Sequence, residues 1–180
     1  VRQGAVIVPT LTLHEAWSRL SDETYTGNLD LFGVPEQVRV AWDVPGLVRR
    51  ARITQSDFRA FRRSRPYQDR FVRLYHRAGG TVAAGSDAPN QLLAPGASLH
   101  DELALLVRAG LEPAEALLAA TRNAAQLLNA DSIGVLRVGA VADFVVLNAN
   151  PLADIANSRD IELVILRGAP YSPSILLGRD

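Results

Sequence analysis

Gly79-Gly-Thr-Val-Ala-Ala-Gly-Ser-Asp-Ala-Pro89 is the stretch on which the fold turns. Its glycine pair ends a helical segment, Thr81–Ala84 reads as a short buried strand, and Gly85-Ser86-Asp87-Ala88-Pro89 is the loop that leaves it. Helix, glycine turn, strand and loop make half of an α/β repeat. A second apolar run, Gly4-Ala-Val-Ile-Val-Pro-Thr-Leu11, is rich in β-branched residues and closed by Pro9-Thr10. It reads as a strand of a parallel sheet, buried on both faces.

Outward from these strands the pattern is helical. From Ser56, the residues Phe58, Phe61, Phe71, Leu74 and Tyr75 anchor a helical stretch, and Pro66 is expected to break it in two or to start its second half. Segment 20–52, between the first strand and this stretch, keeps no period and reads as an irregular excursion with a short helix or two. Beyond the loop, Leu99, Leu103 and Leu106 predict a helix over 98–109 with Ser98 as N-cap and Gly110 as its stop. Pro113 opens another helix, with Leu117, Thr121, Ala124 and Leu128 on one face. After about residue 130 the texture turns to β: Ile133–Gly139 alternates, and Ala142–Leu147 and Leu163–Leu166 are dense apolar runs. This places an α/β part at 1–130 and a smaller β part at 131–180.

Composition excludes several function classes. Of 180 residues, 48% are hydrophobic and 21% charged, enough for a sizeable core. No apolar run reaches the roughly 18 residues of a membrane-spanning helix, so no membrane partner is expected. Nineteen basic and nineteen acidic groups balance, and no net field calls for nucleic acid. The ten Arg between Arg49 and Arg77 read as a solvated helix face, because the aromatics among them keep core spacing. Every basic residue is Arg, and Cys is absent, which removes disulfide, thiolate and Schiff-base lysine chemistry. Met is absent too, which suggests a piece of a longer chain.

Asp87 carries the chemical signal. In parallel α/β architectures reactive residues sit at the C-terminal ends of strands, where the sheet holds their base rigid. A carboxylate there is able to bind a divalent cation or take a proton from water. Against this, an Asp near a Pro commonly caps a turn. A Ser86, Asp87 and His76 or His100 set lacks the glycines of a nucleophile elbow, since Ala84 and Ala88 stand in their places. His14 reads as a cap of the helix after the first strand, and His76 as a cation at a helix C-terminus. His100, in the first turn of its helix, could face the Asp87 pocket as a neutral imidazole. No histidine pair has metal-ligand spacing.

Taken in order, Val6–Leu11, Ala83-Ala-Gly-Ser-Asp-Ala-Pro89, Ser98-Leu-His-Asp-Glu-Leu103, Val107-Arg-Ala-Gly-Leu-Glu-Pro113, Ala119–Ala125, Val138–Leu147 and Asn150-Pro-Leu152 resemble the C-terminal part of the amidohydrolase superfamily. The branch is that of imidazolonepropionase-like and prolidase-like metal-dependent hydrolases. The resemblance implies the end of a (β/α)₈ TIM barrel, with 4–11 and 81–84 as strands seven and eight, followed by a β-sandwich segment. It implies one or two divalent metals, often zinc, with Asp87 as metal ligand and as the base that activates the bound water. His100 falls on a position commonly His in that branch, and Asn90 and the 20–52 excursion are placed to line the substrate side. The substrate implied is a small molecule or peptide whose C–N bond is hydrolysed. Ala142-Asp143 matches a structural pair, and Gly85-Ser86-Asp87 stands where the family writes Gly-Thr-Asp.

The family's His-x-His pair, its bridging lysine and its two later histidines have no counterpart here. The expectation is therefore a C-terminal fragment, inactive alone, whose partner is the preceding part of the barrel. An open barrel leaves strand edges exposed, which also makes a homo-oligomer conceivable. A non-catalytic remnant of the same fold is the alternative.

Overall fold

The computed structural model describes residues 4–29, 31 and 34–178. Strands β1 (Val6–Ile7) and β2 (Thr81–Val82) pair in parallel, Val6 opposite Thr81 and Ile7 opposite Val82. Ala83 N donates to Ile7 O at 2.9 Å and carries the ladder one step further. The first strand is shorter than the apolar run 4–11. Pro9 has no amide hydrogen and Thr10 turns at φ 44°, so the chain passes directly into α1 (Leu11–Ser18). Val6 and Ile7 are half-buried rather than buried on both faces.

The excursion contains three short helices, α2 (Glu23–Gly27), α3 (Glu36–Ala41) and α4 (Val44–Arg50). Asp22 caps α2 by accepting from Tyr25 N, and Asp43 caps α4 by accepting from Gly46 N. Trp17, Tyr25, Trp42, Leu47 and Phe61 pack around buried Leu20, Phe58 and Leu92. Helix α5 (Gln55–Arg77) opens on a capping box between Thr54 and Asp57 and runs unbroken through Pro66, contrary to the expected break. Phe58, Arg65 and Val72 recur every seven residues and are its buried positions. That continuous stripe offsets the roughly 3 kcal/mol that an internal proline costs.

Helix α6 (Ala97–Ala109) ends at Gly110, φ +111°, as expected. Its N-cap is Gly96 rather than Ser98, whose hydroxyl is engaged elsewhere. The next helix divides into α7 (Pro113–Ala120) and α8 (Arg122–Leu127) because Thr121 leaves helical geometry and its hydroxyl bonds to Leu117 O. Alanines form the buried face, Ala116, Ala119 and Ala125, while Leu128 is exposed. Leu11, Val72, Val82, Leu103, Leu106, Ala109 and Ala116 belong to one core, which joins β1 and β2 to α5, α6 and α7.

Antiparallel strands β3 (Phe144–Leu147), β4 (Ile161–Leu166) and β5 (Ala169–Tyr171) form a second sheet in the order β3-β4-β5, and the short helix α9 (Pro173–Leu176) follows. The alternating run Ile133–Gly139 is not a strand. Gly134 and Gly139 take positive φ, Val141 N folds back to Ser132 O, and Val138 is fully exposed. Its alternation reflects turns laid against α8: a Cβ at Gly134 would fall 2.7 Å from Thr121 O. A 3₁₀ turn, Ile155–Arg159, joins β3 to β4 and anchors the sheet, with Ile155 in the main core. Among the described residues no helix is long and apolar enough to cross a membrane.

Candidate active site

Because β1 and β2 run parallel, their C-terminal ends emerge side by side, and the loops after them share one edge. Strand spacing there leaves no room for a side chain just past β2: a Cβ at Gly85 would sit 2.7 Å from Val8 Cγ1. Beyond it Asp87 takes φ +61°, uncommon outside glycine, and the Ala88–Pro89 peptide is cis.

Asp87 is exposed, and its carboxylate accepts no backbone amide among the described residues. Among the described residues Asn90 Nδ2 donates to it, at a long 3.5 Å. The turn that follows is closed by backbone, Asn90 N donating to Asp87 O at 3.0 Å, and Asn90 Oδ1 accepts from the adjacent Gln91 N at 2.8 Å. The Asx-cap reading of Asp87 finds no backbone donor to its carboxylate among the described residues. Trp42 Nε1 donates to Pro89 O at 3.0 Å, which lays the excursion against this loop.

His100 is engaged by the 3₁₀ turn. Its Nδ1 is 2.9 Å from Ser158 Oγ, on the side of α6 that receives the 3₁₀ turn, where Arg159 pairs with Asp101. Burial, then the Arg159 charge, lowers its pKa, and Asp101 only partly opposes this, so the ring is neutral at neutral pH. His14 is inside α1, not at its cap; its residue is exposed, and only partial desolvation followed by the Arg65 charge lowers its pKa. His76, in the last turn of α5, meets Glu115 Oε1 at 2.9 Å and ties α5 to α7.

Two groups of consequence are not evident from the sequence pattern. Glu102 is fully buried, and its carboxylate accepts from Leu11 N, Thr12 N and Thr12 Oγ1 at 3.0, 2.8 and 3.0 Å. Burial pushes its pKa up, and these hydrogen bonds recover only part of the cost. The available signal is a charged residue three places after Leu99 and four before Leu106, on an otherwise apolar helix face. The second group is the buried Arg65, held by Glu15 Oε2 at 3.1 Å and Asp69 Oδ1 at 3.0 Å, with Arg108 sharing Glu15. An Arg-rich helix gives no sign of which guanidinium turns inward.

A cavity of about 560 Å³ opens between α1, α2 and α6, lined among others by Tyr25, Leu92, Asp101 and Arg108. Asp87, Asn90 and His100 do not line it. Among the described residues no group of three or more His, Cys, Asp or Glu could hold a metal ion. A catalytic zinc takes about three ligands from protein, so a lone carboxylate such as Asp87 falls short, and the described residues alone do not fit a complete metal site.

Residues 37–170 match the amidohydrolase family, and the chain belongs to that family. No curated protein matches it. Among solved structures, a prolidase from Bifidobacterium longum is 33% identical over 93% of this chain, with a TM-score of 0.66. A prolidase solved with N-methylphosphonate-L-proline is 26% identical over 95%, with a TM-score of 0.64. The bottromycin amidohydrolase, at 23% identity, a TM-score of 0.73 and 97% coverage, shares the fold. The chain spans only 35%, 36% and 40% of those three proteins. Its fold is accordingly a partial amidohydrolase TIM barrel, about one third of the whole.

Proposed function

We propose that this segment closes the barrel of a metal-dependent hydrolase that cleaves amide-type C–N bonds, and that Asp87 is both a metal ligand and the base for the attacking water. One observation carries the reading: among the described residues, a carboxylate without backbone partners stands at the C-terminal end of a parallel strand, in a loop whose turn is closed by backbone hydrogen bonding alone. The metal, zinc by the family's habit, supplies activation of water, and its remaining ligands come from outside this segment. The 180 residues alone have no turnover in this reading, since they carry one ligand.

The identity to prolidases favours a dipeptide or similar small amide as substrate. Asn90, beside Asp87, is the substrate-side donor proposed. The position of His100 against Ser158 supports a different task, seating the 155–159 turn on α6. Residues 1–130 then belong to the barrel and 131–180 to a β unit that other parts of the protein complete. The test is Asp87→Asn in the complete barrel protein, assayed on Xaa–Pro dipeptides and for bound metal. A fall in kcat of about 10²–10⁴-fold with lost metal supports the reading; retained turnover and metal overturn it.

A further inference from the structure

The buried Glu102 performs no step in the hydrolysis just proposed, yet it sits where the two strand ends meet. Thr10 offers α1 no side-chain cap. Glu102, projecting from α6, takes over that task by accepting the first-turn amides of Leu11 and Thr12. A helix N-terminus suits an anion, and a buried carboxylate is tolerable only when such donors converge on it. Thr12 is the joint: its single hydroxyl proton is shared between Glu102 Oε2 at 3.0 Å, the main acceptor, and the carbonyl of Ser86, the residue just before Asp87, at 3.4 Å. From the same helix, Ser98 Oγ donates to Ser86 Oγ at 2.9 Å.

We infer that Glu102 is a positioning residue for the Asp87 loop, acting through Thr12 and, with Ser98, fixing Ser86 so that Asp87 is presented at the strand end. Asp87 has a positive φ and no backbone partner for its carboxylate, so its direction depends on how firmly the preceding residue is held. Both supports come from one helix, which makes α6 the template that registers α1 and β2 against each other. The inference rests on the proposed role of Asp87, and its test separates the two.

In the complete protein, Thr12→Val, Thr12→Ser and Glu102→Gln are compared with Asp87→Asn, reading kcat, KM, bound metal and amide hydrogen exchange over residues 85–90. Thr12→Val keeps the backbone amide for Glu102 and loses only the hydroxyl. It is expected to lower kcat by about 10- to 100-fold with little change in KM, the penalty of a misplaced group, and to speed exchange at 85–90. Thr12→Ser restores both readings, which a general packing role would not. If Asp87→Asn is inactive while Thr12→Val and Glu102→Gln leave kcat and loop exchange at wild-type values, the positioning role is overturned and the Asp87 reading stands. If Asp87→Asn is active, that reading falls, and unchanged exchange at 85–90 in Thr12→Val still decides against Glu102. Should Glu102→Gln fail to fold, Thr12→Val decides alone.

Discussion

The core around β2 and the sheet β3-β4-β5 are both built on apolar residues and differ in what they bury. In the first region Leu11, Leu106, Ala109, Ala116 and Ala119 are at most 1% exposed. In the second, Phe144, Val145 and Val146 stand 38%, 50% and 37% exposed. The α/β region meets its own partners, because helices α5, α6 and α7 converge on one core. The sheet is fastened mainly through the 3₁₀ turn, by Ile155 and by Arg159 on Asp101. An apolar strand therefore declares that it has a partner, and it does not say whether the partner lies in the same segment.

The sharpest way to break this contrast is at Arg65. Replacing it with Ala leaves Glu15 and Asp69 with only the half-exposed Arg108 beside them, and unfolding free energy is expected to drop by at most about 3–5 kcal/mol in denaturant titration. Leu106→Ala follows, at about 2–5 kcal/mol, because its surroundings are held by two strands and three helices and collapse poorly into the void. Val145→Thr in the sheet is expected to stay within about 0.5 kcal/mol, as an exposed site should. A large loss there would mean that the sheet carries a core of its own.

Acid adds a graded comparison. Half-buried His100 has a pKa below the ordinary 6.5, so its contribution is full above that value and is lost as pH falls through it toward the lowered one. Burial would raise Glu15, but Arg65 and Arg108 outweigh it and hold its pKa below the ordinary carboxylate value. Its contribution is present above the ordinary value and disappears as pH falls through the lowered one. Melting temperature measured from pH 8 downward should fall first in the histidine range and again in the carboxylate range. Glu15→Gln should weaken the second fall and leave the first.

How much of this could be read from the residues follows the same division. Both parallel strands, the Gly110 stop and the runs at 144–147 and 163–166 were legible, because glycine, proline and β-branched residues act locally. The Ile133–Gly139 run misled because alternation between glycines suits a turn that folds back as well as a strand. Pro66 misled because the cost of a local break was outweighed by a stripe visible only once Arg65 is known to face inward. For Asp87, position after a strand was readable, whereas the backbone closure of the turn behind it, Asn90 N on Asp87 O, leaves no mark in residue type. Glu102 escaped because its partners, Leu11 and Thr12, lie some ninety residues away and offer mainly backbone amides.

The role of Asp87 is tested most directly by anomalous diffraction at the zinc edge from crystals of the complete protein loaded with zinc. The expected result is a peak about 2.0–2.2 Å from an Asp87 carboxylate oxygen, at the C-terminal edge of β1 and β2. A fully occupied metal whose ligands do not include Asp87 would contradict it.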